Sequence, residues 1–287
     1  MIQDIAPSVF NNHFECYENK CDDFAFYFSD DKLLCFYNEK EKKISFPKFS
    51  DFTNKDVISS VYLFTVDNQK YFLIKFCGKI PSGFVFYNMK ELRRLSLTSN
   101  KEIFAAFSAY HLWKWYLQNN FCGVCGKPTV HDKIERALVC SCCGQKIYPR
   151  INPAVIIGII NGDKLLITKY KTGYAHNALV AGFTEFGETL EQTVEREVME
   201  EVGLRVKNIR YYKSQPWGVA QDLLAGFFCE VDGNDKIRMD ENELKFAQWV
   251  SRSEIELQPS DYSLTNEMMR KFRDGEKNKK NSNKKLM

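Results

Sequence analysis

At 287 residues the chain is long enough for two or three domains, and its 44% apolar content is enough to bury sizeable cores. No apolar run approaches the ~18 residues a membrane helix needs, and MIQDIAPSVF lacks the basic-then-apolar order of a secretory signal, so the expected setting is a reducing cytoplasm. The net charge of +3 does not mark a nucleic-acid binder, because residues 270–287 alone carry +6 and leave the rest of the chain at −3; the Lys/Asn-rich end, 276–287, is expected to be a disordered, solvated tail.

Residues 1–100 alternate aromatic and polar positions. FAFYFSDDKLLCFYN and SVYLFTVDNQKYFLIKF predict hairpins turning at Ser29-Asp30-Asp31 and Asp67-Asn68-Gln69, hence a small, mostly β domain without a catalytic motif. His13 has no partner in sequence and reads as a surface residue. Lys101 to Asn119 predicts a linker helix (101–120) whose Phe104, Phe107, His111 and Trp115 recur at helical spacing as a packing stripe.

The segment 121–150 holds Cys122-x2-Cys125 and Cys140-x2-Cys143, fourteen residues apart. Each pair forms a knuckle aiming two thiolates at one point, and two knuckles complete a tetrahedral S4 site for structural Zn2+. With four protein ligands that ion has no open position and is not the catalytic metal. Cys142 lies inside the second knuckle as a competing ligand. Cys16, Cys21, Cys35, Cys77 and Cys229 stand in apolar surroundings and read as core packing.

Residues 151–275 predict a further domain. Ala154–Ile160 and Lys164–Tyr170 are β-rich runs joined by Asn161-Gly162-Asp163, a hairpin signal. A helix follows, then strands near 205–215, 223–231 and 245–250, and a closing helix near 262–273. Strands interleaved with two helices imply an α/β fold, a mixed sheet covered on both faces.

The chemistry lies in GFTEFGETLEQTVEREVMEEVGL, residues 182–204. Thr189–Val202 predicts a helix that buries Leu190, Val194 and Val198, while Glu197, Glu200 and Glu201 share another face at i, i+3 and i+4. Like charges at that spacing repel. Clustered carboxylates suit a hard divalent cation, and a solvated acidic face is the competing reading of the helix alone. The whole segment fits G-x5-E-x7-R-E-U-x-E-E-x-G-U (U a bulky apolar residue) at Gly182, Glu188, Arg196, Glu197, Val198, Glu200, Glu201, Gly203 and Leu204. That pattern is the Nudix box. The resemblance implies a Nudix α/β/α sandwich in which Glu197, Glu200 and Glu201 hold Mg2+ or Mn2+. It also implies that Glu188 and Arg196 lock loop to helix, and that Gly182 and Gly203 allow the tight turns at its ends.

FCGVCG, CSCCGQKIYPRINPAVI, the box and SQPW, in that order, resemble the NADH pyrophosphatase (NAD diphosphatase) family of zinc-ribbon Nudix enzymes. That resemblance implies hydrolysis of NAD(H) to nicotinamide mononucleotide and AMP, removal of NAD caps from RNA, and a homodimer. It implies a carbonyl metal ligand at Ala181 and a further metal ligand at Glu243 or Glu241; from the chemistry of the reaction, Glu201, with Glu200 as the alternative, is expected to deprotonate the attacking water. It also implies substrate contacts at Glu135, Tyr148, Phe183, Gln215, Pro216, Trp217 and Thr265, the last within Ser263-Leu264-Thr265. One departure stands out. The family's SQPWPFPxS reads SQPWGVAQD here, so the loop is expected to be looser at Gly218, and Asp222 brings a negative charge. The changes leave the reaction class and open the substrate to ADP-ribose or diadenosine polyphosphates. An RNA-binding, non-catalytic protein is the rival reading. The sequence between the knuckles opposes it, being only +1 through Lys127, Lys133 and Arg136 against Asp132 and Glu135.

Overall fold

Short aromatic strands joined by Asp/Asn turns dominate the first hundred residues. A computed structural model describes the backbone of residues 1–173 and 176–283, and the side chains of all these but residue 54 and residues 276–283. The chain divides into two compact units: residues 2–151 with 218–221, and residues 152–217 with Met1 and the chain from 222 onward.

In the N-terminal unit both predicted hairpins form. Asp30 and Asp31 (φ 49° and 62°) and Asp67 and Asn68 (φ 52° and 66°) are the left-handed pairs of two-residue turns whose twist matches that of strands. Val57–Val66 and Gln69–Phe76 pair antiparallel, with Phe10–Asn11 and Phe24–Phe26 on the outer edges. Helix Lys101–Gln118 buries Ile103, Phe104, Phe107 and Trp115, and His111 donates from Nε2 to the Arg150 carbonyl at 2.7 Å, a structural role. The knuckles are carried by a small sheet of Thr129–His131, Leu138–Cys140 and Lys146–Ile147. Arg136 donates to the carbonyls of Leu63 (2.6 Å) and Asn12 (3.2 Å), so its charge anchors the ribbon instead of facing solvent.

The cysteine expectation needs correcting. Cys35 and Cys229 are buried, but Cys16, Cys21 and Cys77 are exposed. The first two lie in the irregular stretch before Phe24 and the third just past the end of its strand, outside the packed interior of the sheets.

In the second unit the strands are β1 (Asn152–Asn161), β2 (Lys164–Tyr170), β3 (Val180–Phe183), β4 (Val206–Trp217), β5 (Asp222–Val231) and β6 (Leu244–Ser251), with helices α1 (Leu190–Val202) and α2 (Leu264–Asn283). The sheet order is β4-β5-β1-β2-β6, with β3 also on β1; β1 and β5 run parallel and the other pairs antiparallel. Alternation sends Val155, Ile157 and Ile159 to the α1 side, where Val194, Val198 and Val202 meet them, and Ile156 and Ile160 to the α2 side with Leu264, Met268 and Phe272. Both faces are thus covered, which is why β1 is an almost unbroken apolar run. Helix α2 continues to Asn283 instead of ending near 273, so residues 276–283 are helical where a disordered tail was expected. Lysine is a good helix former, and adding residues to an existing helix costs far less than nucleating one. Residues 284–287 of that expected tail lie outside the described residues.

Candidate active site and ribbon metal centre

The sulfurs of Cys122, Cys125, Cys140 and Cys143 all lie within 4.8 Å of one another. Three edges of the group measure 3.7 Å (Cys122–Cys143), 3.4 Å (Cys125–Cys140) and 3.7 Å (Cys125–Cys143). A zinc tetrahedron with ~2.3 Å Zn–S bonds has edges of about 3.8 Å, so the set fits that ion. The N–H groups of Cys143 and Cys142 point at Cys140 Sγ and pull its pKa down to about 6, favouring the thiolate a zinc site needs. Cys142 lends its backbone to the knuckle and its exposed thiol stays outside the group.

The acidic helix is assembled by its caps and by one arginine. The Thr189 side chain accepts from Gln192 N and the Gln192 side chain from Thr189 N, a capping box. At the other end Gly203, at φ 65°, takes the left-handed C-cap. Arg196 reaches Glu188 from Nε (2.6 Å) and Nη2 (3.0 Å), Glu197 and Glu200 from Nη1 (2.7 and 2.9 Å), and the Phe183 carbonyl from Nη2 (2.8 Å). This guanidinium, with the Glu185 N–H, holds the Glu188 carboxyl down at about 2. Gly182 differs from expectation. It lies inside β3 and is not among the left-handed glycines. A Cβ there would stand 1.9 Å from the Glu197 carboxyl carbon, so its missing side chain makes room for that carboxylate and forms no turn.

Glu201 points inward from the same helix and is only 3% exposed. Burial, with the charges of Glu197 and Glu243, pushes its carboxyl up to about 8. Burial likewise raises Glu197, with Glu200 and Glu243 adding to the repulsion. Glu243 therefore acts on both carboxylates. A hard divalent cation fits this donor set, because it relieves a repulsion the fold maintains. Sequence reasoning missed Tyr170: its Oη donates to Glu201 Oε1 and Oε2 (3.1 and 3.2 Å) and accepts from Ala181 N (3.1 Å). The available signal was its place at the end of β2, in phase with Leu166 on the α1 side.

Phe183 ends β3 with its ring 54% exposed, open to stack on a flat partner. Gln215, in contrast, is 0% exposed. Its amide donates to the Tyr262 carbonyl and accepts from Leu264 N, both at 2.7 Å, so it secures the start of α2 and cannot touch a ligand directly. Pro216 is exposed and Trp217 half-buried. Ser263 caps α2 by accepting from Asn266 N (3.2 Å), and Thr265 is half-buried on the first turn. The turn after Trp217 is not loose. A Cβ on Gly218 would lie 2.1 Å from the Phe107 carbonyl oxygen, and Gln221 donates to the His111 carbonyl at 3.3 Å. Asp222 is buried and accepts from Asn152 Nδ2 at 3.5 Å. In the ribbon, Glu135 accepts from Lys146 Nζ (2.5 Å) and Tyr148 Oη (3.0 Å), and Tyr148 is 54% exposed.

The chain also resembles known proteins. Residues 150–272 match the NUDIX domain, and residues 118–148 the NADH pyrophosphatase zinc ribbon domain. A protein of Citrobacter koseri named NAD-capped RNA hydrolase NudC is 42% identical over 151 residues, which are 52% of this chain and 58% of that protein. The protein of the same name from Shigella flexneri matches to the same extent. The chain thus spans less than two thirds of the length of these curated relatives. Among solved structures, a NUDIX hydrolase from Nitrosomonas europaea is similar with a TM-score of 0.49 at 21% identity, over 55% of this chain and 93% of that one.

Proposed function

We propose that this chain, which matches the NADH pyrophosphatase zinc ribbon domain over residues 118–148 and the NUDIX domain over residues 150–272, hydrolyses the diphosphate bond of NAD(H) to nicotinamide mononucleotide and AMP, and removes NAD caps from RNA. The observation that carries this reading is the intact acidic face of α1 in a chain that also carries a ribbon of that type. Glu197, Glu200 and Glu201, with Glu243 and the Ala181 carbonyl, are the ligand set for Mg2+ or Mn2+; the ribbon cysteines hold structural Zn2+. A divalent cation held by that set supplies counter-charge to the diphosphate and acidifies water.

The chain's own residues do the rest. Glu201, buried on the inward face of α1, is the base that takes the proton of the attacking water, with Glu200 as the alternative. Arg196 and Glu188 fix the loop before α1, so that the Phe183 ring can stack on a nucleobase or nicotinamide. Glu135 and Tyr148 in the ribbon, Pro216 and Trp217 in the hairpin, and Thr265 on α2 are the further substrate contacts. The working form is a cytoplasmic homodimer.

Product analysis tests the reading. Purified protein is incubated in parallel with NADH, NAD+, ADP-ribose, diadenosine polyphosphates and NAD-capped RNA, with Mg2+ or Mn2+. AMP and reduced nicotinamide mononucleotide, formed fastest from NADH and abolished by EDTA, are expected. A faster reaction with ADP-ribose or a diadenosine compound overturns the substrate assignment, and salt-sensitive RNA binding with no turnover of any compound overturns the activity.

A further inference from the structure

Tyr170 closes β2. Alternation along that strand sends Leu166 and Tyr170 toward α1, and Leu165 and Ile167 toward α2. The ring packs against the core beneath α1, so the hydroxyl emerges beside the inward face of the helix. There it touches two elements at once. It stands 3.1 and 3.2 Å from the two Glu201 oxygens, accepts from the Ala181 N–H at 3.1 Å, and lies 3.4 Å from the Ala181 carbonyl oxygen. Among the described residues no other side chain donates to Glu201. With Glu201 only 3% exposed, water is a poor substitute for that donor.

The neighbouring strand is shaped around the same place. Lys169 pairs with Phe246 but Tyr170 pairs with Leu244, so Lys245 is an extra residue on β6. The bulge reverses the phase of that strand, which puts Leu244 on the α1 side together with Ala247 and Trp249. Such bulges re-aim side chains and recur beside active sites. The Lys171 N–H then donates to the Glu243 carbonyl at 2.9 Å, tying the end of β2 to the segment that carries the fourth carboxylate.

We propose that Tyr170 is a positioning residue of the hydrolytic site: its hydroxyl joins the Glu201 carboxylate to the β3 backbone at Ala181 and fixes the direction in which Glu201 meets the cation and the water. This rests on the reading that Glu201 serves the divalent metal and the attacking water. The hydroxyl touches neither substrate nor reacting atoms, and acts chiefly through the Glu201 carboxylate, which it holds against the Ala181 backbone. Partners of this kind orient a ligand, and their loss costs ~10–100-fold in metal affinity or turnover.

The test is a double-mutant cycle on the zinc-loaded full chain: wild type, Tyr170→Phe, Glu201→Gln and the double variant. Mn2+ binding is followed by the electron paramagnetic resonance signal of free Mn2+, and kcat and KM are measured with NADH. Phe keeps the ring in the core and removes only the hydroxyl; Tyr170→Met takes its place should the Phe variant not fold. Tyr170→Phe is expected to weaken Mn2+ binding and lower kcat by about 10-fold, with KM changed by less than ~2-fold. In the Glu201→Gln background the same change is expected to cost less than ~2-fold, because its main route, through the Glu201 carboxylate, is already cut. Unchanged Mn2+ binding in Tyr170→Phe, or an equal loss in both backgrounds, overturns the proposal. If the wild type hydrolyses no dinucleotide, the activity reading falls by itself and the Mn2+ cycle still decides the role of Tyr170.

Discussion

In the ribbon, four sulfurs stand within 4.8 Å of one another, drawn together by two turns and a hairpin. On α1 the potential ligands are tethered individually: Glu197 and Glu200 to Arg196, Glu201 to Tyr170. Among the described residues the cysteines form the one group of three or more ligating side chains so close. The contrast follows from what each centre is for. A structural ion needs every position filled and the geometry closed, whereas an ion that handles substrate needs open positions, so its ligands are kept in place by neighbours that can yield.

Breaking the closed centre has the largest expected effect. Cys140→Ser should abolish bound zinc, read by elemental analysis, and melt the ribbon, since structural zinc contributes ~10–16 kcal/mol in isolated finger peptides. Retained stoichiometric zinc would contradict a four-sulfur site. At the open centre, Glu201→Gln should lower kcat by ~10² or more with zinc content and melting temperature unchanged; near-normal turnover removes Glu201 from the mechanism.

Smaller changes sharpen the contrast. Gly182→Ala places a methyl group where the Glu197 carboxylate rests. That side chain can swing away, so the fold should survive while Mn2+ affinity falls by about 10-fold in a binding titration. If the methyl also unfolded the chain, Gly182 would serve the backbone after all. Gln215→Ala strips the buried Tyr262 carbonyl and Leu264 N–H of a partner and should cost about 1–3 kcal/mol in denaturant unfolding, with KM for NADH changed little, because the amide never meets the ligand. A large rise in KM would restore Gln215 as a contact.

The smallest effect concerns pH. The Glu188 carboxyl is held at about 2, below its ordinary 4.5, so the stability it contributes is complete above ~4.5 and is lost as the pH falls toward 2. Glu188→Gln should remove that part of the acid dependence of melting and leave the curve above pH 6 parallel to wild type. An unchanged acid limb would show the pair to be immaterial.

Much of this was legible before any coordinates. The knuckle spacing, the box and the two-residue turns are local patterns whose geometry is fixed within a few residues, so FAFYFSDDKLL and the Asn161-Gly162-Asp163 turn fold as read. Errors arose where meaning depends on a distant partner. Gly182 looked like a turn because glycine usually is, and only the arrival of Glu197 fifteen residues later explains it. Gln215 looked like a contact because it stands in SQPW, but Tyr262 and Leu264 claim its amide. Gly218 looked loose, and the Phe107 carbonyl makes it tight. Tyr170 carried no motif; its phase with Leu166 could be read along the predicted strand, but its meeting with Glu201 and the bulge in the neighbouring strand are not visible in a single line of sequence.

Arg196 has one further consequence. By bonding Glu188, Glu197, Glu200 and a main-chain carbonyl, it places a fixed positive charge among carboxylates that would otherwise repel one another along a single helix face. The acidic helix therefore carries its own resident counter-ion. On the proposed assignment, a divalent cation reaching Glu197 or Glu200 would have to loosen an existing ion pair, so its affinity would be the free energy of an exchange, weaker than bare carboxylates would give.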